Sequence, residues 1–455
     1  MKSQATPVET QRLVFRIVRP IVLGVVVTAM TAAIAGTSIS GPTSRPIAAS
    51  SGGRTQSGSD AVQLREAPSA AATLSFNPGS SVKVQQIIGD CDWAVMAAGG
   101  TCQQTASLTI SKANVAANDI GDSFEQGGKL VFMFGDTKSN DPSQPWSTSK
   151  LPLVDYHQHD PVATTDVTDG EAPLALNFLL TSPPGAPVPT PFFVEPSYAD
   201  GTKVAMGADD VPHAGIEFNN KTYVVVNTGA DLSLNDPHQN SFSVLTSWDG
   251  TTNSNAFTAL RTISKLPGGH FIINSLQELA PGEAGSSDTM QGILTYGIGE
   301  VRASNVYLSF DPAIANLPAV AGAPGYEAGG NTMYLKGLDD AGQPIWSTSE
   351  SDAMPVVKDV VDPPTIAHLS VSYSKDLGLW LMTFDGGRTQ QPDGTQTNGS
   401  PATDGVYFTY APAPWGPWAQ PQLIFNAIRD NGFGVFIHQD TNPTGPSGPT
   451  AGQND

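Results

Sequence analysis

The sequence predicts an all-β fold, a five-bladed β-propeller, from three observations. Gly (46) and Pro (37) are abundant among 455 residues. Short apolar runs bounded by Gly, Pro, Asn and Asp recur from about residue 73 to 440, and long amphipathic helical patterns are scarce. Short apolar stretches between turn formers read as strands.

A hairpin-like unit recurs along this stretch without a strict period. Its copies are residues 119–137, 214–228, 271–276 with 292–297, and 369–384, followed by further strand candidates at 241–247, 306–310 and 406–410. Unequal copies of a four-stranded unit point to blades around a channel; a β-sandwich is the alternative arrangement. A fifth unit starts at Gly432-Phe-Gly-Val-Phe-Ile-His438 and gives way to a Pro- and Gly-rich tail with no partner strand, so the last blade reads as incomplete. Strand candidates at residues 73–76 and 82–89 are placed to help close the ring with it.

Ahead of this domain, Lys2, Arg12, Arg16 and Arg19 precede an apolar run at residues 21–35, which ends in Ala33-Ile34-Ala35 before Gly36. Residues 1–35 therefore read as a signal peptide or a membrane anchor, the run being short for a span. Residues 36–72 are a Ser/Gly/Ala/Pro-rich flexible spacer, residues 73–440 the propeller, and residues 441–455 a disordered tail. The expected location is secreted, cell-surface or periplasmic. Export gives the only two cysteines a meaning: Cys91 and Cys102 read as a disulfide in an oxidising compartment.

Net charge is −20, from 42 acidic and 22 basic residues. Such a surface repels phosphate backbones and anionic lipid, which excludes nucleic acid as a partner and leaves membrane contact to the N-terminal segment if it is uncleaved. A neutral polymer suits this charge, and a monomer is expected.

The segment 118–137 carries the strongest chemical signal. It reads as one hairpin with Glu125-Gln126-Gly127-Gly128 as its turn. With Phe124 paired to Lys129 across a four-residue loop, Asp136 falls opposite Ala117, and Asp119 lies two residues along on the same face. Diagonal neighbours on one face are roughly 7–8 Å apart, a separation that suits a sugar-cleaving carboxylate pair. The plain reading is an Asx turn and a strand-ending Asp. Asp122, three residues from Asp119, is expected on the other face in a structural role, and Glu217 is expected at a turn-proximal surface.

Other candidates are weaker. His213 precedes the second unit's inner strand and could bind a sugar hydroxyl. Glu300 and Arg302 come at the end of a strand in the third unit. His368 opens the fourth unit's inner strand and, titrating near neutrality, could act as an acid; a buried core histidine is the alternative. Trp415 and Trp418, between prolines, are expected to pack a blade edge. Asp155-Tyr-His-Gln-His-Asp160 lacks the further ligands a zinc or copper site wants and reads as a polar loop. No Walker loop, Gly-x-Ser-x-Gly elbow, His-Glu-x-x-His or Cys-x-x-Cys occurs.

Phe134-Gly-Asp-Thr137 after an Asp-Ile-Gly strand, Ser370-Val-Ser-Tyr-Ser-Lys-Asp-Leu-Gly-Leu-Trp-Leu-Met-Thr-Phe384 and Tyr410-Ala-Pro-Ala-Pro-Trp-Gly-Pro-Trp418 together resemble the domain-of-unknown-function family 4185, over roughly residues 80–440. That family is similar to the five-bladed propeller glycoside hydrolases, and some of its members are endo-D-arabinanases. The resemblance implies that Asp119 and Asp136 are catalytic and that Arg302 lies near the cleft with Glu300. It implies no cofactor; a channel calcium, as in some related propellers, has no supporting ligands in the sequence. The chain departs from the pattern at Ala367-His368-Leu369-Ser370-Val371, where relatives commonly read Gly-Glu-Leu-Ser-Val, and in its last blade. Those departures support the alternative of a non-catalytic, carbohydrate-binding or cell-surface propeller.

Overall fold

The computed structural model describes residues 74–77, 85–139, 160–166, 173–204, 206, 210–228, 242–281, 283, 290–301, 303–312, 332–387, 389–390, 396–397 and 405–426. Nearly all regular structure among them is β. The first sheet runs β1 (Val115–Gln126), β2 (Lys129–Ser139), β3 (Val162–Thr165), β4 (Asn177–Phe178). The second is β5 (Pro212–Phe218), β6 (Lys221–Thr228), β7 (Phe242–Trp248), β8 (Phe257–Lys265). The third is β9 (Ile273–Leu279), β10 (Gly292–Ile298), β11 (Tyr307–Asp311), β12 (Met333–Leu338), β13 (Pro344–Ser347). The fourth joins β14 (Leu369–Ser374) and β15 (Leu379–Gly386) to two later strands; between them in sequence a small ladder pairs β16 (Thr389–Gln390) with β17 (Gln396–Thr397). The later strands are β18 (Gly405–Ala411) and β19 (Gln422–Phe425).

These are antiparallel meanders, and the first strand of each, β1, β5, β9 and β14, borders one common cavity. That is a propeller, with four blades among the described residues. The fifth unit at residues 432–438 lies outside them.

Neighbouring blades are held together face to face. Phe124, Val131 and Met133 of the first blade pack with Val224, Val226 and Val244 of the second. Ala214, Ile216 and Val225 meet Leu276 and Ile293 of the third, and Leu294, Tyr296 and Leu308 meet Val371, Trp380 and Met382 of the fourth. Burying both faces of each sheet removes apolar side chains from water at about 25 cal/mol per Å². It also explains why the strands read as near-continuous apolar runs rather than a clean alternation.

Of the stretches expected to be N-terminal strands, the described residues 74–76 and 85–89 are not in strands. Residues 74–77 instead dock through side chains: Leu74 N donates to Tyr410 Oη at 3.1 Å, Phe76 N to Gln422 Oε1 at 2.8 Å, and Gln422 Nε2 to Leu74 O at 2.9 Å. Leu74 and Phe76 thereby rest on the far face of the fourth blade, with Leu381, Phe408 and Ile424. Ile87 and Ile88 rest on the far face of the first, with Leu130 and Phe132. The same segment therefore serves the last and first described blades.

Two further expectations are corrected in the first hairpin. Gln126 pairs with Lys129, and Gly127 and Gly128 have φ of +56° and +79°. This makes a two-residue turn, not a four-residue loop, and a glycine pair is what lets it form, since both positions need φ above zero. Phe124 consequently faces Val131, and register shifts between Val115 and Gly121 leave Asp119 opposite Gly135 and Ala117 opposite Lys138. Asn219 and Asn220, at φ of +52° and +58°, make the equivalent turn between β5 and β6.

Candidate functional site

One end of the channel gathers the starts of the inner strands and the ends of the second strands. In the second blade, Asn227 follows the last pair of β6 with β5: its Oδ1 accepts Val211 N at 2.6 Å, while its own N donates to Val211 O at 3.1 Å. In the fourth, Asp385 does the same: its Oδ1 accepts His368 N at 2.5 Å and Ala367 N at 3.3 Å, while its N donates to His368 O at 3.1 Å. Asp136 holds the corresponding position in the first blade, one residue past the Gly135 that faces Asp119. Asp136 thus stands one register step from Asp119's partner Gly135, which departs from the same-face diagonal expected from the sequence. The side chains of Asp119 and Asp136 lie outside the described residues.

His213 is the extra residue of a bulge, between the pairs Pro212–Val226 and Ala214–Val225. Bulges re-aim a side chain at a sheet edge, and His213 is 95% buried, its exposure being 5%. Its Nδ1 accepts Asn274 N at 3.0 Å, which puts the neutral ring's proton on Nε2. That Nε2 is buried and has no hydrogen-bond partner among the described residues. Burial, with the nearby His368 adding to it, pushes the imidazole down to about 3, so His213 is neutral and is a hydrogen-bond donor at physiological pH.

His368 stands at the fourth blade's edge of the same end, half-buried, its Nδ1 3.9 Å from Asp385 Oδ1. That distance is an electrostatic contact and too long for a hydrogen bond. Glu300 is exposed in the turn after β10, where its carbonyl accepts Ala303 N at 3.1 Å. Arg302 lies outside the described residues, as do His157 and His159.

Along the channel from this end is a cavity of about 60 Å³, lined by Asp122, Ser123, Glu125, Glu217 and Gln277 together with serines of β9 and β14. Asp122, expected on the face opposite Asp119, contributes to this lining, and a register shift between Asp119 and Gly121 interrupts the ideal alternation between them. Burial raises its carboxyl to about 7, although the backbone N–H groups of Ser123 and Gly215 pull the other way. At neutral pH it is protonated about half the time. Glu217 is turn-proximal as expected, its Oε2 accepting Gly127 N at 2.6 Å and so tying the first blade's turn to the second blade, and it also contributes to the lining.

Elsewhere, Cys91 and Cys102 form the expected disulfide, with Cα atoms 5.0 Å apart. Trp415 is buried and donates from Nε1 to Gly342 O at 3.2 Å, and Trp418 meets Tyr296 edge to face at 6.0 Å. Both pack between the third and fourth blades. Among the described residues, no three of His, Cys, Asp and Glu converge as a metal site.

No protein-family description matches the chain, and no curated protein does. Among solved structures, a candidate hydrolase from Bacteroides ovatus aligns over 70% of this chain and 72% of its own at 13% identity, with a TM-score of 0.38. An exo-β-1,3-galactanase from Phanerochaete chrysosporium, with β-1,3-galactotriose, aligns over 76% of this chain at 10% identity and a TM-score of 0.35. This chain spans only 55% of that galactanase. The β-xylosidase/α-arabinofuranosidase CoXyl43 from a compost metagenome, in complex with xylotriose, aligns over 64% of this chain and 76% of its own at 10% identity and 0.30. The propeller assignment rests on the sheets themselves.

Proposed function

We propose that this protein is an exported glycoside hydrolase acting on a neutral polysaccharide, a D-arabinan or another furanose polymer, with Asp119 and Asp136 as its carboxylate pair. The first hairpin adds only that it sets the backbone positions of these two residues one register step apart at one end of a propeller channel. Hydrolysis of a glycosidic bond needs a proton for the leaving oxygen and a carboxylate that activates water or attacks the anomeric carbon. The resemblance to family 4185 at the same two residues supports the assignment. His213 adds a neutral, buried donor for a sugar oxygen, and Arg302, Glu300 and His368 complete the substrate-binding set. The disulfide and the basic-then-apolar N-terminus support export.

The test is reducing-sugar release from D-arabinan, L-arabinan, fructan and xylan by the 36–455 protein. Loss of release in both Asp119→Asn and Asp136→Asn supports the reading, and release unaffected by either removes the pair from it.

One observation favours a second reading, a carbohydrate-binding propeller without catalysis. Asp385, at the position corresponding to Asp136, spends one oxygen on two backbone N–H groups, a purely structural task. Glycan binding with no release on any of the four polymers supports that reading.

A further inference from the structure

Two rings with no part in the site described above stand at the same end of the propeller. His270, just ahead of β9, and Tyr307, the first residue of β11, stack with centroids 4.1 Å apart and planes 12° from parallel. The strand between them, β10, puts no side chain in the way. Its Gly297 pairs with Asn274 on one side and Tyr307 on the other, and a Cβ there would stand 2.5 Å from the Phe271 ring. A glycine at this place lets residues 270 and 271 lie over β10 and reach β11.

The backbone under the stack is held from two sides. Glu350, after β13, accepts His270 N at 2.6 Å and Ser264 Oγ at 2.5 Å on one oxygen. Ser264 Oγ, from β8 of the second blade, accepts Phe271 N at 3.3 Å. Both rings keep part of their surface exposed. Burial lowers the His270 pKa below its ordinary value and raises that of Tyr307, so the pair is uncharged at neutral pH.

Register sets the stack beside the channel. His213 Nδ1 accepts Asn274 N, and Asn274, Gly297 and Tyr307 form one row across β9, β10 and β11. With neighbouring strands about 4.8 Å apart, Tyr307 lies about 10 Å outward from Asn274. The turn bearing Glu300 borders the turn bearing His270, since a Cβ on Gly299 would stand 2.6 Å from Gly269 O. A flat, uncharged aromatic surface packs the C–H face of a sugar ring, and a nearby carboxylate accepts its hydroxyls. Glu300 and Glu350 beside the pair disfavour an anionic ligand.

Resting on the carbohydrate reading above, we infer that the His270/Tyr307 stack is a further saccharide subsite, two strands out from the channel, on which a sugar ring of a neutral polymer lies. The polymer then runs outward over the third blade from the end of the channel that His213 faces. Its sequence mark is faint, because the two rings are 37 residues apart and meet only across Gly297.

The test is affinity electrophoresis of the protein in gels containing D-arabinan, L-arabinan, fructan or xylan, with circular dichroism to check folding. Wild type is compared with His270→Ala and Tyr307→Ala, and with His270→Phe and Tyr307→Phe, which keep a flat ring. The expected result is an affinity for the retaining polymer about five- to tenfold lower in each alanine variant, and close to wild type in the phenylalanine variants. If Tyr307→Ala unfolds, His270→Ala decides in the same way. Unchanged affinity in the folded alanine variants, or equal losses in the phenylalanine variants, overturns the subsite and leaves the carbohydrate reading standing. Retention of folded wild type by none of the four polymers overturns the carbohydrate reading, and the subsite with it.

Discussion

His213 accepts the backbone N–H of Asn274 on Nδ1 at 3.0 Å, and this single bond between the second and third blades decides which way its other nitrogen acts. The ring is neutral and Nε2 carries the hydrogen, buried and without a partner among the described residues. A buried donor left unpaired costs about 1–3 kcal/mol, so a ligand oxygen at this position recovers that cost. His213→Gln should weaken binding of the glycan by about tenfold while leaving the fold intact; isothermal titration calorimetry and circular dichroism read the two effects. Unchanged affinity would remove His213 from the binding site.

His213 also makes stability depend on pH. Its folded pKa is about 3 against 6.5 unfolded, so below pH 6.5 the unfolded chain takes a proton that the folded chain refuses. The stability it contributes is present above pH 6.5 and is lost as pH falls toward 3. Denaturant titrations of His213→Gln against wild type should show the difference between them changing over that window and flat above it.

Asp122 acts in the opposite sense. Its folded pKa of about 7 stands above the ordinary 3.8, so its contribution is fully present below pH 3.8 and is lost as pH rises through 7. Relative to wild type, Asp122→Asn should therefore gain stability as pH rises from 4 to 7. The two groups oppose each other between about pH 4 and 6.5 and partly conceal one another in the wild-type profile. A constant difference across this range would mean that the carboxyl titrates like an exposed one.

Gly215 is fixed by close approach, not by backbone conformation. The Phe124 ring lies 2.1 Å from the place a methyl group would take, so Gly215→Ala must push β5 away from β1 or force the ring off its rotamer. Overpacking of this kind costs about 1–3 kcal/mol. Chemical denaturation should show the loss, and Phe124→Leu in the same chain should restore part of it; additive losses in the double variant would mean that the two residues do not meet.

The disulfide closes a loop of 11 residues. In the chain-entropy account, opening it frees the unfolded state by about 2–3 kcal/mol. Replacing Cys91 and Cys102 by serine should lower the stability to unfolding by that amount without altering glycan cleavage, because the loop lies at the first blade's N-terminal side, away from the channel lining.

Much of this fold was legible because its strands are short, apolar and punctuated by Gly and Asn, as at Gly127-Gly128 and Asn219-Asn220. The recurring hairpin units at 119–137, 214–228, 271–297 and 369–384 correspond to the four blades among the described residues. The place of Asp122 in the cavity lining was not legible, because a bulge has no reliable sequence mark and one extra residue reverses every side chain after it. Residues 74–77 misled for another reason. Their apolar pattern is real, but Leu74 and Phe76 cover a blade face while the backbone bonds to the Tyr410 and Gln422 side chains, which no periodicity reveals. The bridge from His213 to Asn274 links residues 61 apart in sequence and depends on blade packing alone.

Digestion of D-arabinan in ¹⁸O-labelled water, with the products weighed by mass spectrometry, tests hydrolysis by the Asp119/Asp136 pair. Fragments with one ¹⁸O at each new reducing end are expected from the wild type, and none from the Asp119→Asn/Asp136→Asn double variant. Labelled fragments from the double variant at the wild-type rate, or intact polymer after treatment with folded wild type across all four glycans, would contradict it.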